Sequence, residues 1–367
     1  MTEKLKQMAA AIALACSVGT VQAQTPGVTI YGVVDTGLEY LTRVDAAGNS
    51  QTRVPSLTGL VPSRLGFRGS EDLGGGLNAV FTLESGILVD SGALGQGGRL
   101  FGRQAFVGLS SREFGTLALG RMYTMTTFAL QTDTMGPAIY ALASLDSYLA
   151  NARVDNALGY LGRFGGLTLG ATYSLGRDTA GVPGVPNPGA TLCPGESATD
   201  SKACRQWSAL LKYDSSSWGV ATSHDQLSGG PGETLGLVSS SFRDKRTIAN
   251  GWIRFGDLRV NAGVVHRHRN TATDLKSNLW FVGASYPLMP RLALAAEFHR
   301  LDMKGSNNDT DLLVLRGVYE LSKRTSVYAM LGIAKNSGTA ARSVSSGATV
   351  GAGMNQTGVM AGISHSF

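Results

Sequence analysis

The chain has 367 residues, a formal net charge of +6 and 49 glycines, while aromatic residues make up only 7% of it. This composition argues against an ordinary α/β enzyme core and fits closely packed strands joined by tight turns. No apolar run of 18 residues follows the first 23 residues, so a helical membrane protein is excluded.

The first residues have the parts of a secretory signal peptide. Lys4 and Lys6 precede a short apolar run, which is followed by small residues leading to Ala23. The apolar run is too short to cross a bilayer as a stable helix. We therefore predict a signal peptide at 1–23, cleaved after Ala23, and an exported mature chain of residues 24–367.

After the signal, the residues alternate with a period of two. Between Leu167 and Ser174 every second residue is apolar or aromatic, and the residues between them are small or polar. The final segment, from Gly358, alternates in the same way and ends on the aromatic residue Phe367. A period of two predicts strands that each have one apolar face and one polar face.

Sixteen candidate strands follow from this alternation. They begin near Val28, Ser63, Asn78, Arg103, Thr116, Asn156, Leu167, Arg205, Gly219, Lys245, Leu258, Lys276, Arg291, Thr310, Thr325 and Gln356. An even number permits closure of a bacterial barrel. The connections alternate between short turns and long loops, and the long ones include 42–62, 124–155, 176–203, 227–244 and 336–355.

A sheet in hydrocarbon must close on itself, because lipid offers its edges no hydrogen-bond partners. Together with the secretion signal, the alternating loop lengths predict an all-β fold: a closed 16-stranded antiparallel transmembrane β-barrel in the cell outer membrane. A soluble β-sandwich is the alternative, but it would need a dry apolar interior on the same alternation.

Only two cysteines, Cys193 and Cys204, remain after removal of the signal. They have ten residues between them and lie in a polar stretch rich in proline and glycine. In an oxidising periplasmic context this arrangement predicts a disulfide that closes a surface loop, with two free thiols as the alternative.

Four stretches carry a family resemblance: Ser63-Arg-Leu-Gly-Phe-Arg-Gly-Ser-Glu-Asp-Leu-Gly-Gly-Gly-Leu-Asn-Ala, Leu100-Phe-Gly-Arg-Gln-Ala-Phe-Val-Gly-Leu, Gly115-Thr-Leu-Ala-Leu-Gly-Arg and Gly362-Ile-Ser-His-Ser-Phe. They resemble Gram-negative general porins of the β-proteobacterial type. The resemblance implies a homotrimer of barrels in which the third long loop folds inward and narrows a diffusion pore for small hydrophilic solutes. The candidate for this loop is 124–155.

The resemblance also implies a row of arginines on the barrel wall, facing acidic groups on the inward loop. By motif, Arg64 and Arg103 match two of the wall positions, and Arg153, just before the sixth strand, matches a third. Alternation independently places Arg64 inside. It supports Arg103 less cleanly, because Ala105 and Val107 share its face. The alternative for these arginines is a solvated surface position.

Asp133 and Asp146 are the acidic candidates on the inward loop, and a helix or turn cap is the alternative role for each. Further basic residues are expected to face the lumen: Arg68, and Arg259, Arg267 and Arg269 on one face of the eleventh strand. Arginine stays protonated at any relevant pH, and rows of arginine favour anions at a narrow passage. We therefore predict a moderate anion preference.

Two other functions are open to this sequence. A substrate-specific channel for anions or organic acids would have a saturable site. A barrel hydrolase would need catalytic chemistry, for which His224 with Asp225 and His299 near Asp302 are the only hints. We expect a channel rather than an enzyme.

The expected partners follow from the barrel prediction. They are small hydrophilic solutes and anions, outer-membrane lipid and lipopolysaccharide, and two further copies of the chain. The terminal Phe367 is expected to serve as the signal for the outer-membrane assembly machinery. We expect no cofactor and no bound metal. We also expect no nucleic acid partner, because the basic residues are dispersed through alternating strands.

Overall fold

The computed structural model describes residues 27–57, 59–178, 190–233 and 236–367, so the predicted signal peptide lies outside the described residues. Sixteen long strands are numbered here in chain order: β1 Thr29–Leu41, β2 Arg64–Gly74, β3 Leu77–Leu88, β4 Gln104–Ser111, β5 Gly115–Tyr123, β6 Arg153–Phe164, β7 Leu167–Gly176, β8 Gln206–Asp214, β9 Trp218–Ser228, β10 Arg243–Phe255, β11 Leu258–Asn270, β12 Leu275–Met289, β13 Leu292–Lys304, β14 Thr310–Glu320, β15 Thr325–Asn336 and β16 Gln356–Ser366.

The connections contain short elements. In the part of the chain that the structure describes, two short strands lie at Gln51–Arg53 and Ala93–Leu94, and the helices are α1 Gly95–Gly98, α2 Met125–Ala129 and α3 Leu142–Leu145. Single turns of 3₁₀-helix occur at Leu130–Thr132 and Leu149–Asn151. Within the described ranges, no helix is long and apolar enough to cross a membrane.

The sheet closes on itself through its first and last strands. β1 pairs antiparallel with β16, with Val34 opposite His365, and every other long strand pairs antiparallel with its sequence neighbours. Beyond the last strand, the N–H of Phe367 donates to the Gly32 carbonyl oxygen at 3.1 Å. The prediction of a closed 16-stranded antiparallel barrel is confirmed.

Each strand presents apolar side chains outward and a mixture of side chains inward. On β14, Leu313 and Leu315 are exposed, whereas Leu312 and Val314 are buried. This alternation suits a wall that contacts lipid outside and encloses other groups inside. The strands begin within three residues of the predicted positions. The largest difference is at β6, because Arg153 pairs with Tyr123 and is therefore the first residue of the strand rather than a residue before it.

The connection 124–152, between β5 and β6, packs against the inner face of the wall. Ile139 and Tyr140 are buried in a cluster with side chains of β12, β14, β15 and β16, including Leu279, Leu312 and Met330. The N–H of Ile139 donates to the Gly59 carbonyl oxygen at 2.9 Å. Apolar burial therefore holds this connection against the side chains of these strands.

Candidate functional site

Arginines from two neighbouring parts of the wall meet at one carboxylate, that of Glu84 on β3. Arg64 begins β2, and Arg103 lies one residue before β4. Arg103 Nε donates to Glu84 Oε1 at 2.7 Å, and Arg64 Nε lies 3.6 Å from Glu84 Oε2. The hydroxyl of Tyr31 donates to Glu84 Oε2 at 2.9 Å. The carboxylate therefore accepts hydrogen bonds from Arg103 and Tyr31 and forms an ion pair with Arg64.

Tyr123 connects this group to the third predicted arginine. Its hydroxyl accepts from Arg103 Nη2 at 2.6 Å and from Arg153 Nη2 at 3.4 Å. The guanidinium of Arg153 also lies over the Tyr123 ring, 4.7 Å from its centre. The structure thus brings Arg64, Arg103 and Arg153 together. We call these three residues with Glu84 the arginine cluster, and its formal charge is +2.

The position of Arg103 explains why alternation supported it weakly. The regular strand begins only at Gln104, which pairs with Glu84. Arg103 precedes that strand and bonds through its N–H to the Glu84 carbonyl oxygen at 3.0 Å. Because Arg103 lies outside the regular strand, the alternation that turns Val107 outward does not fix the direction of its side chain. The side chain is buried against Glu84.

Two members of this region were missed by sequence reasoning for different reasons. Glu84 shares the inner face of β3 with Thr82, so alternation alone could have placed it in the interior. Arg121 has the same parity as the outward Leu119 but is buried, beside a bulge where Gly120 pairs with Ala157 and Met122 pairs with Val154, so that β6 carries one extra residue. Such a bulge interrupts the regular alternation of the side chains beside it. Arg121 Nη1 donates to Asp155 Oδ1 at 2.5 Å.

Asp146 does not pair with the arginine cluster. Arg246 of β10 donates to both of its oxygens, at 2.8 and 3.1 Å, and Arg267 of β11 lies 3.9 Å away. Asp244 also pairs with Arg267, at 2.7 Å. Burial alone would raise the pKa of Asp146, but the two guanidinium groups outweigh it and hold the pKa well below its usual range.

Asp133 is buried on the same connection but has different neighbours. Burial and the nearby charge of Glu297 on β13 raise the pKa of Asp133 well above its usual range. Arg316 donates to the carbonyl oxygens of Thr134 and Met135, at 2.7 and 2.9 Å, rather than to Asp133. The two predicted acidic residues are therefore in separate environments, and neither is an ion-pair partner of the arginine cluster among the described residues.

The other predicted basic residues lie on the predicted face. Arg68 stacks on the Tyr31 ring, 5.2 Å from its centre. Arg259 donates to the Thr132 carbonyl oxygen at 3.1 Å, and Arg267 and Arg269 follow it on the same face of β11. A cavity of about 520 Å³ opens beside the arginine cluster, and its lining includes Arg68 and Tyr123.

Two other features considered in the sequence are a disulfide and a catalytic histidine–aspartate pair. Cys193 and Cys204 form a disulfide, with an S–S distance of 2.00 Å. Asp225 is buried on β9, whereas the neighbouring His224 points to the other face and contacts Thr247 and the Trp207 ring. His299 and Asp302 likewise lie on opposite faces of β13. Neither pair can therefore form the hydrogen-bonded dyad that a triad hydrolase requires.

A closed barrel with an apolar exterior and charged groups inside defines the class of transmembrane β-barrel proteins of the outer membrane. The chain belongs to the Gram-negative porin family, whose model matches residues 9–339. This confirms the family predicted from the sequence.

Individual relatives cover nearly the whole chain. Outer membrane porin protein 32 of Delftia acidovorans is 30% identical over 99% of this chain and 100% of its own length. An outer membrane porin protein of Bordetella pertussis is 30% identical over 90% of this chain and 94% of its own. Among solved structures, an anion-selective porin from Comamonas acidovorans superimposes with a TM-score of 0.74 and 27% identity, covering 93% of this chain and 99% of that one. The protein is located in the outer membrane.

Proposed function

We propose that the protein is a general diffusion pore for small hydrophilic solutes and that it prefers anions. The observation that carries the proposal is the arginine cluster, in which Glu84 pairs with Arg64 and Arg103, and Arg153 is joined to Arg103 through the Tyr123 hydroxyl. Three permanent positive charges against one negative charge produce a positive potential at the wall. An anion passing this point is stabilised, and a cation is repelled.

Asp146, on the connection 124–152, does not cancel this potential. Asp146 is neutralised locally by Arg246 and Arg267, which also engage Asp244. That second group contains two arginines and two aspartates, so its formal charge is zero. Of these two groups, only the arginine cluster, on the wall formed by β2 to β6, has a positive excess. We propose that the connection 124–152 narrows the passage beside this wall.

The comparisons support this proposal in one respect. The Comamonas acidovorans structure is described as an anion-selective porin, and it aligns with this chain over nearly its full length. The relatives are porins, so we propose a channel without enzymatic activity. We further propose, from the family resemblance, a homotrimer that contacts lipopolysaccharide and uses Phe367 as its signal for the assembly machinery.

The proposal is tested by the reversal potential of the purified protein in a planar bilayer with a potassium chloride gradient. We expect a chloride permeability several times that of potassium. Arg103→Gln should lower the ratio, because it removes one positive charge from the cluster. Arg112→Gln, in the exposed turn between β4 and β5, is the matched control and should change the ratio little. Cation preference of the unchanged protein would refute the proposal.

The same recordings distinguish a general pore from a substrate-specific channel. Conductance that rises in proportion to chloride, phosphate and small organic acid concentration indicates free diffusion. Saturation by one organic acid at low concentration would favour the specific channel instead. Closure in three equal steps tests the homotrimer independently.

A further inference from the structure

Three side chains that can bind a metal meet on the inner wall, away from the arginine cluster. Glu297 and His299 are two residues apart on β13 and therefore share one face, which is buried. Asp133 reaches them from the connection 124–152. One ligand atom from each of the three residues lies within 4.8 Å of the other two.

These side chains are shielded from solvent, and some of their polar atoms have no hydrogen-bond partner. His299 is 0% exposed, Glu297 1% and Asp133 7%. Within the part of the chain that the structure describes, both ring nitrogens of His299 and Oδ1 of Asp133 have no hydrogen-bond partner. Buried polar atoms without partners are rare because each costs free energy. These nitrogen and oxygen atoms are therefore available as metal ligands.

Neighbouring hydrogen-bond donors hold the Glu297 carboxylate in place. Asn261 Nδ2 donates to Glu297 Oε1 at 2.9 Å, and the Met135 N–H donates to Glu297 Oε2 at 3.0 Å. Across the described ranges, neither Asp133 nor Glu297 forms an ion pair with a lysine or arginine. Opposite Glu297 on β12 is Gly283, where an added Cβ would lie 2.8 Å from Glu297 Oε1, so a larger residue there would require the Glu297 carboxylate to shift.

We propose that Asp133, Glu297 and His299 bind a divalent transition-metal ion such as Zn²⁺, which ties the connection 124–152 to β13. An imidazole with two carboxylates suits Zn²⁺, whereas Ca²⁺ and Mg²⁺ favour oxygen ligands alone. Zinc bonds of about 2.1 Å place tetrahedral ligand atoms about 3.4 Å apart. His299 Nε2 and Glu297 Oε2 are 3.5 Å apart, which fits one edge of such a site.

The test is calorimetric titration of Zn²⁺ into the full-length folded protein after treatment with a chelator. We expect one tight site per chain. Asp133→Asn and His299→Gln should each weaken binding at least about tenfold, since even outer-shell partners of a metal are worth 10- to 100-fold. Zn²⁺ should also protect the connection 124–152 from proteolysis in the unchanged protein and not in Asp133→Asn.

A surface histidine provides the matched control. His268 lies 3.3 Å from Asp274, so this pair could bind Zn²⁺ weakly by itself. His268→Ala should leave the tight site unchanged. Circular dichroism establishes that each variant retains its barrel. If His299→Gln does not fold, Asp133→Asn, which alters no strand, tests whether the site binds Zn²⁺. No tight binding by the unchanged protein, equal binding by Asp133→Asn, or loss of binding in His268→Ala would each overturn the proposal.

Discussion

Arg103 Nε donates to Glu84 Oε1 at 2.7 Å, so the arginine cluster contains its own counter-ion. The carboxylate reduces the positive charge that a passing solute experiences and holds the guanidinium groups in place. These two effects can be separated by substitution, because one depends on net charge and the other on the pairing of buried charges.

Replacing Glu84 by glutamine should increase the anion preference. The formal charge of the cluster would rise from +2 to +3, while glutamine keeps an oxygen that can accept from Arg103. One added charge is worth on the order of 1 kcal/mol in a watery passage, which corresponds to a severalfold change in permeability ratio. Reversal potentials measure it. Glu113→Gln, in the exposed turn between β4 and β5, serves as the control. A ratio that falls would contradict the assigned role of the cluster.

Removing Arg103 should destabilise the barrel more than removing both partners. Arg103→Gln leaves Glu84 buried, with Arg64 at 3.6 Å as its remaining ion-pair partner. Breaking a buried ion pair in this way costs about 3 kcal/mol or more, whereas replacing both partners avoids the uncompensated charge. The double variant Arg103→Gln/Glu84→Gln should therefore recover part of the lost free energy of unfolding in urea. Equal losses in the single and double variants would show that the pair is not coupled.

Asp146 should contribute pH-dependent stability to the connection 124–152. Its folded-state pKa is lowered, so its contribution is fully present above the unfolded pKa of about 4 and is lost as the pH falls through the folded value. The difference in free energy of unfolding between the unchanged protein and Asp146→Asn should therefore shrink as the pH is lowered below about 4. Asp257→Asn, in the exposed turn between β10 and β11, provides the comparison. A difference that grows on acidification would be inconsistent with the pairing to Arg246.

Truncating Ile139 should loosen the connection without opening the barrel. Its side chain is 1% exposed and packs in the apolar cluster of the interior. Ile139→Ala should cost about 2–5 kcal/mol locally, and Ile139→Val about 0.5–1.5 kcal/mol. We expect faster proteolysis within 124–152 and a larger single-channel conductance in the alanine variant, with the valine variant between the two. Unchanged conductance with full release of the connection would show that it does not narrow the passage.

Much of the fold could be predicted because its signals are local. Alternation located the strand beginnings to within three residues, and it placed Arg64, Arg259 and Arg267 on the inner face. The motif resemblance selected Arg103 and Arg153, which alternation alone could not. Arg121 was missed because the bulge between β5 and β6 interrupts the alternation on which that reasoning depends.

The pairing of charges could not be read from the chain in the same way. Asp146 and Arg246 are 100 residues apart, and Asp133 meets Glu297 and His299 only because the connection 124–152 returns to β13. The sequence by itself determined a barrel, its membrane-facing residues and the basic character of its interior, because a period of two is a property of neighbouring residues. Only the tertiary structure decided which carboxylate neutralises which arginine, because strand register and the path of one long connection depend on contacts between distant parts of the chain.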